Sequence, residues 1–239
     1  MQSKINAIKH NPFENPVFIK DEESEALAYV RNTCSSMIKG LIAEISQSSE
    51  EEIKSILELS VKKKDLPDYF LQIPQSRSNL AAVTQLFFEY LDAEFDSLDS
   101  LDDGSSPNFE QILIEDSASL TVDIIDELMI LEHITSKSIR RFDVELRNLS
   151  GRFNTLATTD VNIENLPIGP KKLTECFCRA LKGSGYDMGM RRVYTRLFEK
   201  CVLMKMAFIY RSIGKTLESR GIHTTEDQLL AQLSGAIVN

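Results

Sequence analysis

Apolar side chains recur at every third or fourth position over most of this 239-residue chain, the spacing that draws one stripe along an α-helix. Leu27, Val30, Cys34, Met37, Leu41 and Ile45 form such a stripe behind a start at Asp21 or Ser24. A second helix through Ile53, Ile56, Leu57 and Val61 follows Ser48-x-x-Glu51 or Ser49-x-x-Glu52, both spacings of a capping box. It closes on Lys62-Lys63-Lys64, cations at the negative end of the helix dipole. Leu66-Pro67 to Pro74 reads as a loop. A third helix from Asn79 to Leu98 puts Leu80, Val83, Phe87, Leu91, Phe95 and Leu98 near one face.

The longest element is expected from Ser119 to Ala157. Within it Ile139, Phe142, Leu146, Leu149, Phe153 and Leu156 are spaced 3-4-3-4-3, a heptad seam. The seam reads either as the surface of a homodimeric scaffold or as packing inside the chain's own bundle. Internal packing is preferred, because a coiled coil is argued from about three or four heptads, and Gly151 weakens an unbroken helix. Pro170 suits the first position of a shorter helix with Leu173, Phe177, Ala180 and Leu181 inward, stopped by Gly183 and Gly185. From Met188 to Arg220 a single helix is apolar on most sides between Leu197 and Ile209, Phe208 included, so it is expected at the centre of the core. Gly221 fits the position after its end, and Thr224 or Thr225 opens a last helix bearing Leu229, Leu230, Leu233 and Ile237. No segment alternates like a strand and no repeat is visible. The expected fold is all-α: a bundle of about seven helices over residues 21–239 as a single domain, with an arm at 1–20 and an acidic linker at 99–108.

With 42% hydrophobic and 26% charged residues, the composition is that of a soluble globular chain. The longest apolar run, Ala207-Phe208-Ile209-Tyr210, is far too short to span a bilayer, and Met1-Gln2-Ser3-Lys4 leads into no apolar signal region. No membrane insertion and a cytoplasmic location are therefore expected. Cys34, Cys176, Cys178 and Cys201 sit among apolar positions and read as reduced, buried side chains. Cys176 and Cys178 lie on different faces of one helix, and no further Cys/His pair completes a metal site. His10, His133 and His223 share no ligand spacing. Lys182-Gly183-Ser184-Gly185 lacks the preceding strand and the Gly-Lys-Ser/Thr order of a phosphate loop, and no Gly-x-Ser-x-Gly elbow occurs. The expectation is no catalytic residue, no metal, no cofactor and no enzymatic activity.

Charge is the sharpest asymmetry. Between Arg77 and Lys137 there are fourteen acidic residues and no Lys or Arg, while Lys137 to Arg220 holds seventeen basic residues against eight acidic ones. Arg140, Arg141, Arg147 and Arg152 cluster on one expected helix, and Arg191, Arg192 and Arg196 on another. Three readings stay open. The halves pair across the bundle; they present opposed faces, such as the arginines or the acids around Asp92 to Asp103, to a protein partner; or the arginines form a receptor for an anionic small ligand such as a nucleotide second messenger, which needs three or more of them in one concave pocket. A nucleic-acid partner is not expected from a chain of pI ≈ 5.0 without Trp.

The order of several short motifs is similar to that of a bacterial, mostly proteobacterial, domain family of unknown function whose members often carry the label thymidine phosphorylase. They are Leu113-Ile114-Glu115-Asp116, Arg140-Arg141-Phe142, the turn Asn165-Leu166-Pro167-Ile168-Gly169-Pro170, Leu173 to Phe177, Leu197-Phe198-Glu199-Lys200-Cys201-Val202-Leu203 and Gly221-Ile222, with Arg77-Ser78-Asn79 upstream. The chain resembles the family's N-terminal module from about residue 20 onward. The turn departs from the family pattern by the extra Leu166 between Asn165 and Pro167. Longer relatives continue beyond it, so a short paralogue or a fragment is expected. The resemblance implies a helical cytoplasmic protein and carries over no catalytic residue; the enzyme label finds no support in these residues. The function expected is a non-enzymatic regulatory or adaptor module that binds a protein through charged helical faces.

Overall fold

Nine α-helices and no strand occur among the residues that the computed structural model describes, 20–48, 50–98, 107–114 and 121–224. The helices are α1 (Lys20–Ser46), α2 (Glu50–Ser60), α3 (Leu66–Asp96), α4 (Phe109–Ile114), α5 (Val122–Arg141), α6 (Asp143–Phe153), α7 (Pro170–Gly183), α8 (Met188–Cys201) and α9 (Ala207–Ser219), with a 3-10 turn at Leu203–Lys205 before the last. The all-α expectation holds. Residues 1–19 of the arm expected at 1–20, most of the acidic linker (99–106) and the last helix after Thr224 lie outside the described residues, and Lys20 already belongs to α1.

The core is built where the stripes meet. Phe177 of α7 stacks on Phe198 of α8 with ring centroids 4.2 Å apart, and Phe87 of α3 meets both edge-on at 6.2 and 5.9 Å. Around this trio one continuous apolar cluster runs from Ala26 to Ile222. A smaller cluster of Phe109, Ile112 and Leu113 of α4 with Ile124 and Leu131 of α5 sits beside it. All four cysteines are buried and unpaired.

Several boundaries differ from the sequence reading, each for a physical reason. The loop expected at Leu66–Pro74 is the start of α3. Pro67 occupies the first turn, where a missing N–H costs nothing, and Pro74 sits within the helix on its exposed side. The long helix expected from Ser119 to Ala157 breaks at Phe142 (φ −118°, ψ 24°), whose ring is drawn inward against Tyr210 at 5.5 Å. Gly151, the suspected weak point, stays helical and lets Thr224 approach: a Cβ there would lie 3.1 Å from the Thr224 methyl. The helix expected from Met188 to Arg220 breaks after Cys201 at Val202 (φ −111°, ψ −71°), so α8 and α9 bury different faces. These two breaks and α4 add three helices to the six expected within the described residues, the seventh expected helix lying after Thr224. Gly221 does stand where a left-handed residue is needed: its φ is +79°, and Gly221 and Ile222 donate to the Glu218 and Leu217 carbonyls, closing α9 in a Schellman arrangement.

Candidate functional site

The seven candidate arginines do not converge. Arg191 grips Glu127 of α5 with two parallel bonds, Nε to Oε1 and Nη2 to Oε2, each 2.8 Å. Arg192 donates through Nη2 to the Asp123 carbonyl at 2.8 Å. Both fasten α8 to the first half of α5. Arg152 is buried and donates to the Ile222 carbonyl at 3.0 Å, holding the chain that follows α9. Arg196 is exposed on α8, and Arg140 and Arg141 are exposed at the far end of α5, about 20 Å along the axis from Glu127 at ~1.5 Å per residue. Arg147 pairs with Asp143 one turn back on α6, 3.0 Å from both carboxylate oxygens. The cleft beside it, about 460 Å³, is lined by Arg147, Ser150, Val161, Asn162, Ile163 and Glu164, one arginine facing one acid.

The opposed charges meet in part across the bundle. Glu127, Asp123 and Glu94 from the acidic stretch contact Arg191, Arg192 and Lys172 from the basic one. Asp92 and Asp96, the start of the acidic candidate surface, are engaged by Arg31 of α1 at 2.7 and 2.6 Å. That pairing bridges a groove of about 960 Å³ between α1 and α3.

The seam residues Phe142, Leu146, Leu149, Phe153 and Leu156 are buried, and Ile139 is half-buried against the same core. Phe142 meets Tyr210, and Phe153 meets Phe95 at 6.4 Å. The seam is thus used inside the chain and leaves no face for a second copy to cover. Its helix, α6, lies beside α9, tied by Glu145 and Arg211 at 3.5 Å.

What this pair of helices shows to solvent is a basic surface with bare apolar side chains. Val144, Arg147 and Asn148 of α6 and Phe208, Arg211 and Lys215 of α9 all point outward. Phe208 and Val144 are each 71% exposed. At the edge Arg141 reaches the Met204 sulfur at 4.0 Å. Phe208 was expected in the core, and its exposure corrects that reading. Once Val202 breaks the helix, α9 has its own phase: Ile209, Tyr210, Ile213 and Leu217 are inward, and 208, 211 and 215 fall opposite. The signal was present in that spacing but hidden by the assumption of one continuous helix.

A long loop supports this surface from beneath. Asn154 holds Val161 by both backbone groups, Nδ2 to the carbonyl at 2.6 Å and Oδ1 from the N–H at 2.5 Å. The Asn162 side chain accepts from the Glu164 and Asn165 N–H groups at 2.8 and 3.2 Å. Leu166 to Pro170 are all buried, and the Tyr210 hydroxyl donates to the Ile168 carbonyl at 3.1 Å. The Asn-Leu-Pro-Ile-Gly-Pro turn therefore braces α9 and starts α7, with Gly169 as cap and Pro170 in the first turn.

The described residues hold little that resembles a reacting centre. Burial pushes the thiols up, Cys178 to about 12, so they are protonated and unreactive. His133 is exposed and His223 half-buried, without a shared partner; His10 lies outside the described residues. Among the described residues no group of three His, Cys, Asp or Glu could hold a metal ion. No helix there is long and apolar enough to cross a membrane. The most unusual interior group is an ionic one: Lys172 lies 3.3 Å from Glu94 and 3.2 Å from Glu175, two carboxylates that are almost fully buried and share one ammonium.

The family model described as the N-terminal domain of a protein of unknown function, DUF1631, matches residues 22–221. No match to the chain exists among curated proteins or among solved structures.

Proposed function

The chain belongs to the DUF1631 family as its N-terminal domain, and we propose that it is a non-enzymatic regulatory or adaptor module of the cytoplasm that docks a protein partner on the α6–α9 surface. One observation carries this reading: a phenylalanine, Phe208, stands 71% exposed between outward-pointing Arg141, Arg211 and Lys215. A bare aromatic anchor inside a charged rim is the composition of an interface hot spot, and the basic rim selects an acidic partner and steers it. The receptor reading lacks comparable support, since Arg152, Arg191 and Arg192 hold the fold together.

The test is affinity capture from a bacterial lysate with the parent chain, Phe208→Ala and Arg141→Glu, each at low and high salt. A partner retained by the parent at low salt, weakened by salt and lost with either variant supports the proposal. Equal capture by parent and variants overturns it.

A further inference from the structure

The outer face of α5 lies outside the α6–α9 surface and has its own pattern. With ~100° between successive helical residues, Val122, Ile125, Asp126, Met129, His133 and Arg140 fall on one side. Ile124, Leu131, Ile134 and Ser138 fall on the other and are buried. Along the exposed side Val122 is 75%, Ile125 43% and Met129 65% accessible. The charges on this side are ordered: Asp126 and Glu132 precede Lys137 and Arg140. Lys137 is bound to Glu199 at 2.7 Å, whereas Asp126 and Arg140 have no bonded partner among the described residues.

The helix dipole explains Asp123 at one end and Arg141 at the other. It does not explain three bare apolar side chains, Val122, Ile125 and Met129, set among the acidic positions of the first half of the stripe. A sequence that is acidic, then basic, along one exposed helical stripe is complementary to itself when reversed. We infer that this stripe is a self-association surface on which a second copy of the chain docks with its α5 antiparallel, about a two-fold axis near His133. In that register Asp126 faces the second copy's Arg140, and the reverse, so each copy gives and receives the same contacts, as an isologous interface requires. Ile125 then lies by the second copy's Arg140 and Arg141, and Met129 opposite its Lys137, over the aliphatic stems that long basic side chains offer readily. The two helix dipoles also oppose each other, a favourable arrangement. This surface replaces the buried Ile139–Leu156 seam as the place where two copies meet.

A single pair of helices about 30 Å long gives a contact at the small end of specific interfaces, below roughly 1,200 Å² in total, so the dimer is a weak one that depends on concentration and salt. Sedimentation velocity on the full chain over rising concentration, at low and high salt, reads it directly. The decisive variants are Asp126→Arg and Arg140→Asp, both exposed on the outer side of α5. Each alone places like charges opposite each other and is expected to weaken association at least ~10-fold. An equimolar mixture of the two single variants pairs Arg with Asp at both contacts and is expected to associate again, as is the double variant with itself. A parent that stays monomeric throughout overturns the inference. So does a dimer that survives both single variants, or one that neither the mixture nor the double variant restores. Loss of the dimer in Phe208→Ala would also overturn it, by placing the contact on α6–α9. Partner capture by Asp126→Arg is expected to be unchanged, which separates this inference from the docking function.

Discussion

Arg191 and Glu127, sixty-four residues apart in the chain, meet in a two-bond fork with both contacts at 2.8 Å and little solvent on either side chain. The pair joins α8 to α5, whose direct helix packing is otherwise modest. Its geometry fixes the rotation of α5 about its axis, and so which residues form the outer stripe. Removing one member leaves the other charge buried without its counter-charge, which costs about 3–5 kcal/mol, whereas replacing both with apolar residues of similar size is often near neutral. Glu127→Ala should therefore lower the urea midpoint strongly. Glu127→Leu with Arg191→Met should recover most of it, and a double variant as unstable as the single one would refute this account.

The Glu94–Lys172–Glu175 group makes a pH prediction. Burial pushes the Glu175 carboxyl above its ordinary range, and Lys172 beside it only partly reverses this. A carboxyl whose folded pKa is raised binds its proton more tightly in the folded state. Its stabilising contribution is therefore complete below its ordinary pKa and is lost as pH rises through the folded value. Glu175→Gln cannot ionise and escapes that loss. Measured by urea denaturation from about pH 4 to about pH 7, the variant should gain on the parent as pH rises; a constant difference would mean that the Glu175 carboxyl titrates alike in the folded and unfolded chain.

Why some of this was legible in the sequence and some was not follows from what each signal measures. Apolar spacing reports burial on a regular helix, so the stripes of α1 and α3 and the proline start of α7 were readable from local order alone. The breaks at Phe142 and Val202 carry no Gly or Pro. They exist because Phe142 turns to Tyr210 and because α8 and α9 bury different sides, which are facts of tertiary packing. Pro74 misled in the opposite direction: an exposed proline inside a well-packed helix is tolerated. The arginines were visible as a cluster, but only partners distant in sequence separate Arg152, Arg191 and Arg192, which hold helices together, from Arg141, which faces outward.

Two glycines should respond in opposite ways to alanine. At Gly169 an added Cβ would sit 2.9 Å from the Leu166 carbonyl oxygen and 3.0 Å from that of Ile163, backbone atoms of the buried turn that cannot move aside cheaply. Gly169→Ala should cost about 1–3 kcal/mol as overpacking does. Gly214, inside α9, has nothing within 4 Å of the same position, so Gly214→Ala should add up to about 1 kcal/mol through helix propensity. Thermal unfolding of both variants checks the pair, and a stabilised Gly169→Ala would show that the turn is looser than its contacts imply.

Phe208 and Tyr210 are two residues apart on α9 and should separate docking from folding. Tyr210 is buried, packs on Phe142 and donates its hydroxyl to Ile168. Tyr210→Phe keeps the ring but strands a buried carbonyl, a loss of about 1–3 kcal/mol, and the turn it braces should become more open to hydrogen exchange. Partner capture should persist, since no outward side chain has changed. Phe208 makes the opposite pattern. With its ring in solvent, Phe208→Ala should leave stability within about 0.5 kcal/mol of the parent while abolishing capture. Were Phe208→Ala to unfold the chain, the ring would be a packing element, and its exposure would no longer mark an interface.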